Sequence, residues 1–362
     1  MTMTTSFEMK KESTMKNTFA KLSILCVALV CAVTSASYAG RGDKAGTSAA
    51  PMLLIPVGAR DIALGGSNLA SSIGVDAIYY NPAGLAFSKK SSEAMFSHMS
   101  YIADIGVDYL AVSTFFEGLG ALALTVKALS IGDIDVTTEA NPDGTGEIYT
   151  PRFTTIGLTY SNALTDRISI GLTTNLISEQ IDRVTSNGVA FNFGVQYRGF
   201  AAVNGLDIGV TLKNIGPQMQ YDGPGLIRNG QIDNDVAVGR SSSVYIVQAS
   251  KAELPSVIEL GFAYHASINE QTKLNFSSMF LNQNFMDDEF KLGGEFVYDN
   301  TFFIRGGYSM SPQAVKDTYL YGASFGAGIN QNFDGLDFTI DYAYRSVKYF
   351  DANHVFTLKL GF

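Results

Sequence analysis

Residues Tyr319–Ile329 read Tyr-Leu-Tyr-Gly-Ala-Ser-Phe-Gly-Ala-Gly-Ile. Odd positions carry Tyr, Tyr, Ala, Phe, Ala and Ile, while the even ones carry Leu, Gly, Ser, Gly and Gly. Successive side chains of a strand point to opposite sides, so a period of two means a strand with two unlike faces. One face here is apolar and the other nearly bare. The same dyad sets Phe191, Phe193, Val195 and Tyr197 against Asn192, Gly194, Gln196 and Arg198. It sets Ile208, Val210 and Leu212 against Asp207, Gly209, Thr211 and Lys213. Leu336, Phe338, Ile340, Tyr342 and Tyr344 likewise face away from Asp337, Thr339, Asp341, Ala343 and Arg345. A soluble sandwich would turn its large residues inward. Large apolar residues opposite glycine and mixed charge suit a barrel with lipid outside and a polar lumen.

Working outward, fourteen such segments follow one another: about 91–102, 107–116, 119–132, 151–162, 167–181, 188–198, 206–215, 256–268, 271–282, 289–298, 301–309, 318–329, 335–346 and 353–362. They are long enough for a strand crossing a bilayer, since a tilted strand needs roughly 9–11 residues to do so. With both chain ends taken as periplasmic, the long connections Asp133–Thr150, Gly216–Pro255, Gln283–Asp288 and Met310–Asp317 fall on the outer side. Glu117-Gly118, Ala163–Asp166, Asn269-Glu270 and Asp299-Asn300 fall on the inner side as short links. That asymmetry is the one outer-membrane barrels show. Val236–Val247 reads as a hairpin within the longest outer connection. The fold class is therefore all-β: a transmembrane antiparallel barrel of about 14 strands over residues 91–362.

Ahead of the first strand, Ile55–Phe87 is rich in Gly and Ala and follows neither period. Small residues let backbone pass close to a crowded wall, so residues 40–90 read as a plug with short helices inside the barrel. The alternative is a cap on its surface. Pro82 forbids a helix running through Asn81, which stops a short helix over about Asp76–Tyr80. Gly84 is then expected to let the chain reverse towards the wall. Within this stretch, VGARDIALGGSNLASS followed by GVDAIYYNPAGLA resembles the N-terminal signature of the PorV/PorQ family of outer-membrane proteins. Its residues here include Gly58, Ala59, Arg60, Gly65, Gly66, Asp76, Asn81, Pro82, Ala83 and Gly84. NPAGLA also resembles the hatch element of FadL-type fatty-acid channels.

Residues 1–39 form a targeting segment. Met15-Lys16-Asn17 with Lys21 supplies the positive start, Leu22–Val33 the apolar core, and Ser37-Tyr38-Ala39 a small-x-small cleavage site; Met15 is an alternative start. Both cysteines, Cys26 and Cys31, lie inside it, and neither sits in a lipoprotein box. Its removal takes four basic and two acidic residues, moving the formal charge from −9 to −11. An acidic chain without basic clusters argues against nucleic-acid binding.

Reaction chemistry finds little footing. Gly322-Ala323-Ser324-Phe325-Gly326 matches a nucleophile elbow by letter, but the alternation runs straight through Ser324, where an elbow needs a strand turning into a helix. His98, His265 and His354 lie far apart with no ligand spacing, so no metal is expected. Asn141–Glu147 and Asp233-Asn234-Asp235 are acidic loops without the ligand order of a calcium site. The glycine pairs lack the strand–turn–helix unit of a dinucleotide fingerprint. No cofactor and no enzymatic activity are expected.

Arg198, Lys213, Glu259, Lys273, Lys291, Glu295, Arg305, Asp337, Asp341, Arg345 and Lys359 face the lumen on this register. Both signs are present, so pairing with one another and with Arg60, Asp61 and Asp76 would fill the bore. Phe356, Leu358, Leu360 and the terminal Phe362 share the lipid face, a pattern similar to the signal read by the barrel-assembly machinery. The family resemblance implies a docking or attachment role with type IX protein secretion in the bacterial outer membrane. Secreted proteins or secretion components would then be partners, contacted through Gly216–Pro255 with Tyr221, Leu226, Ile227, Tyr245 and Ile246. The other reading is a FadL-like channel for fatty acids or other hydrophobic compounds.

Overall fold

The structure, a computed structural model, describes residues 46–231, 242–312, 314 and 319–362. The expected targeting segment, the acidic run Asp233–Asp235 and residues 236–241 of the expected outer hairpin lie outside the described residues. Fourteen antiparallel strands close into a barrel. They are β1 Ser92–Ser100, β2 Gly106–Phe116, β3 Gly120–Ser130, β4 Arg152–Ala163, β5 Ile168–Ile181, β6 Val184–Tyr197 and β7 Leu206–Ile215. β8 Val257–Ser267, β9 Thr272–Gln283, β10 Glu289–Tyr298, β11 Phe302–Met310, β12 Tyr321–Phe333, β13 Leu336–Val347 and β14 Asn353–Gly361 complete it. Each strand pairs with its sequence neighbours, and β1 closes on β14 with Phe96 opposite Leu358.

Alternation decides what each face meets. Leu158, Phe325 and Phe356 point outward and are 59%, 58% and 57% exposed, while Thr159, Ser324 and Val355 beside them are buried. An outward belt of this kind on a closed barrel belongs in a bilayer, where closure also leaves no strand edge unpaired. The β5–β6 hairpin is taller than its apolar pattern implies. Its strands continue to a two-residue turn at Asp182-Arg183, with Ser178, Gln180 and Asn187 outward above the belt. Ladder hydrogen bonds continue there although the faces have turned polar.

Pairing in the long outer connection differs from expectation. Ser242–Ile246 pairs with Ile227–Gln231, so the hairpin starts well before residue 236. A smaller one, Ile134-Asp135 with Ile148-Tyr149, closes the 131–151 connection.

The segment before β1 lies within the barrel. It contains α1 Ala59–Ala63, α2 Ala77–Tyr80, and three-residue-per-turn helices at Pro51–Leu54, Gly74–Asp76 and Pro82–Phe87. Pro82–Phe87 packs on β4, β5 and β6, and α1 packs on β11 to β14. One buried apolar cluster joins Ala50, Met52 and Leu53 to Met99, Val107, Ile177, Met219 and Leu254. Met219 and Leu254 belong to the longest connection, and the Ala49 N–H donates to the Glu253 carbonyl at 2.8 Å. Phe87 and Lys90 reach the opposite end, against Arg198 and Asp337. The first described residues therefore sit at the long-connection end and Phe362 at the other, which corrects the expectation that both ends share the periplasmic side. The chain descends through the bore before starting the wall.

Candidate functional site

Plug and wall meet through three devices: spaces left by glycine, polar side chains that bind plug backbone, and charges. The glycines of the bare strand face are a docking track. A Cβ at Gly209 would stand 2.8 Å from the Leu69 carbonyl oxygen, and one at Gly261 would stand 2.8 Å from the Leu69 side chain. Gly171 and Gly194 leave the same room for Asn81 and Pro82, Gly307 for Leu64 and Gly65, and Gly326 for Ala63. Any larger residue would overlap plug atoms.

Asn81 is fully buried and uses its whole side chain. Its Oδ1 accepts from the Ala83 N–H at 3.2 Å, and its Nδ2 donates to the carbonyls of Leu69 at 3.2 Å and Val195 on β6 at 3.0 Å. α2 stops at Tyr80, one residue before it, as the proline requires. Gly84 does not reverse the chain. It lies inside the Pro82–Phe87 helix, where a Cβ would collide with the Ser72 carbonyl. Gly65 and Gly66 are the true turn, with φ of +68° and +75° after α1. Gly58 has φ +83° just before α1, and the Ala59 N–H donates to Thr357 Oγ1 on β14 at 2.8 Å.

Wall side chains that sequence reasoning passed over hold plug carbonyls. Ser324 donates to Ala63 at 3.2 Å, Ser161 to Ala83 at 3.0 Å, Gln196 to Ser72 at 2.9 Å and Lys127 to Ile55 at 2.9 Å. The serine of the apparent nucleophile motif is thus spent on plug backbone. For the three neutral side chains, the available signal was a polar residue at an inward strand position on the glycine-rich face.

Six charges form a closed ring of alternating sign. Arg60 lies 3.3 Å from Glu295, Glu295 2.6 Å from Arg305, and Arg305 2.6 Å from Asp341. Asp341 lies 3.2 Å from Lys359, Lys359 2.7 Å from Asp76, and Asp76 3.9 Å from Arg60. Two members come from the plug and four from β10, β11, β13 and β14. A buried charge needs partners on all sides to offset lost hydration, and the ring gives each member two. Asp61, expected to join such pairing, does not. It accepts from Asn68 Nδ2 at 2.8 Å, and burial with Asp76 nearby pushes its carboxyl up to about 7.

The remaining charges divide by position. Lys213 pairs with Glu259 at 2.8 Å. A shift in the β6–β7 register accompanies φ +59° at Asn214 and turns both Lys213 and Asn214 inward. Arg345 donates to Asn353 Oδ1 and covers the Tyr321 ring at 4.0 Å. Lys291 pairs with Glu289 at 2.9 Å. Arg198, Asp337 and Lys273 lie at the inner rim instead of mid-bore, against Phe87, Lys90 and Asn300 respectively.

Above the plug lies a cavity of about 260 Å³. Leu53, Leu54, Met279, Leu281 and Met286 give it an apolar side, and Tyr79, Tyr101, Lys213, Lys291 and Arg345 a polar one. In the longest outer connection, the hairpin exposes Ile227, Val244, Tyr245, Ile246 and Val247. Tyr221 is not among these anchors, since its hydroxyl donates to Glu179 at 3.0 Å. The histidines stay apart: His98 pairs with Asp108, His265 with Asp207, and His354 with Tyr342. Among the described residues no cluster could hold a metal ion.

Solved structures share the architecture. The toluene transporter TbuX of Ralstonia pickettii matches with a TM-score of 0.54 at 13% identity, over 84% of this chain and 98% of that one. A Pseudomonas aeruginosa FadL homologue matches with a TM-score of 0.49 at 12% identity, over 84% of this chain and 98% of that one. At 13% identity the likeness to TbuX is one of fold alone. A comparison with curated proteins finds no match. The family described as "Type IX secretion system protein PorV" matches residues 39–261, which take in the plug signature, the glycine track of β5 to β8 and the whole outer hairpin. A plugged outer-membrane barrel carrying that match over more than half its length belongs to the type IX secretion system PorV family.

Proposed function

We propose that this barrel is a docking component that holds an exported protein, or another part of the secretion system, at its outer face. The observation carrying this reading is the outer hairpin, where five large apolar residues stand exposed on the long-connection side. Exposed apolar side chains clustered on a short ordered element are a usual core for a protein contact. The plug needs no movement for such a role. Outer-membrane lipid surrounds the apolar belt, and Phe356, Leu358, Leu360 and Phe362 serve assembly of the barrel into it. Pulldown from detergent-solubilised outer membranes, read by mass spectrometry, tests the docking role. Exported proteins or secretion components should accompany the wild-type chain and fall at least tenfold with Val244→Asp/Ile246→Asp, a barrel that keeps its wall intact. Neither group accompanying the wild type would overturn the reading.

The cavity above the plug favours a second reading, a passage for hydrophobic compounds. Its volume lies just below the range of about 300–1,000 Å³ usual for small-molecule sites, and the charge ring and glycine track oppose the plug movement a passage requires. Bound fatty acids or hydrocarbons, with no protein partner recovered, would favour it.

A further inference from the structure

Beside Tyr79 lies a second space of about 40 Å³ between plug and wall. Lys127, Lys213, Thr125, Thr155, Asn175 and Asn192 are among its lining, which contains no carboxylate. The two ammonium groups stand 5.0 Å and 4.9 Å from the Tyr79 ring centre. Lys213 is neutralised by Glu259 at 2.8 Å. Lys127 is 5% exposed, and its only hydrogen bond among the described residues goes to the Ile55 carbonyl, at 2.9 Å. An ammonium has three donors, so two remain without a protein acceptor. The Thr155 hydroxyl, also buried, has no partner either. A second cation close by makes an uncompensated charge on Lys127 still less favourable.

We propose that this space is a binding site for a small monovalent anion, with chloride as the ion available in ordinary media. The space admits such an ion together with ordered water, since a single water needs only about 10–15 Å³ of such a space. With Lys213 neutralised, one unbalanced positive charge remains, which a monovalent ion matches and a multiply charged phosphate does not. Water would supply acceptors but no charge, whereas a halide supplies both, contacting Lys127 Nζ, the Thr155 hydroxyl and the amides of Asn175 or Asn192. The ion would lock the outer half of the plug, since Lys127 also binds Ile55 and Tyr79 donates to Leu53.

Crystals of the processed chain grown in sodium bromide should show an anomalous bromide peak in this space, in contact with Lys127 Nζ. In detergent at matched ionic strength, the thermal midpoint should rise saturably when bromide or chloride replaces gluconate. Lys127→Met should abolish that response, and Thr155→Val should weaken halide affinity roughly tenfold, the loss of one hydrogen bond to a charged group. Should Lys127→Met fail to assemble, the bromide map and Thr155→Val decide the question. Absence of the bromide peak, or an unchanged halide response in the variants that assemble, overturns the site.

Discussion

At the scale of single residues, Arg305 shows how the lumen tolerates charge. It contributes one guanidinium to two carboxylates, Glu295 and Asp341, each at 2.6 Å. Arg305→Ala should leave both acids short of a partner and cost about 3–5 kcal/mol, the penalty for breaking a buried pair from one side. The heat-modification midpoint in detergent would register it, and a fall of less than about 1 kcal/mol would mean that water reaches the ring. That these residues face inward was readable from strand parity alone. Their closure into a ring was not, because parity gives a face and a rough depth but no lateral partner. Asp61 was indistinguishable from Asp76 by sequence, yet their surroundings differ completely: one faces Asn68 and the other Lys359.

At the scale of elements, alternation marked the strands, since an apolar outer face is demanded wherever a strand meets lipid. It did so least clearly in the first two, where both faces of 107–116 carry apolar residues. It could not mark where ladder bonds outlast the belt, which is why β6 starts at Val184. The bare inner face was legible as glycine but not as a docking track, since only the folded plug shows what approaches it. Gly306 and Gly307 on β11 separate the two meanings. A Cβ on Gly306 would meet the Phe325 ring at an ordinary 3.8 Å, whereas one on Gly307 would strike the backbone of Leu64 and Gly65. Gly307→Val should therefore loosen the plug at an overpacking cost of about 1–3 kcal/mol, and Gly306→Val should cost little. Protease protection of residues near Gly65 checks this, and equal behaviour of the two variants would remove the track from the explanation.

At the scale of the molecule, the path of the plug sets the sidedness of its leading segment. Residues 47–54 lie under the outer connections, although β1 begins at the opposite rim. An epitope inserted after Gly46, which is exposed, should bind antibody on intact cells. A tag following Phe362 should bind only after the outer membrane is opened. Labelling of the Gly46 tag solely in permeabilised cells would contradict the path.

The charge ring also has a history in time. Arg60 and Asp76 emerge early from the ribosome, and Lys359, the cation that completes their neutralisation, lies 283 residues beyond Asp76. Until the final strand zips against the first, the bore holds an unbalanced charge pattern that disfavours a settled plug. Electrical completeness of the interior thus coincides with mechanical closure of the wall. A chain cut short before β14 would lose both at once.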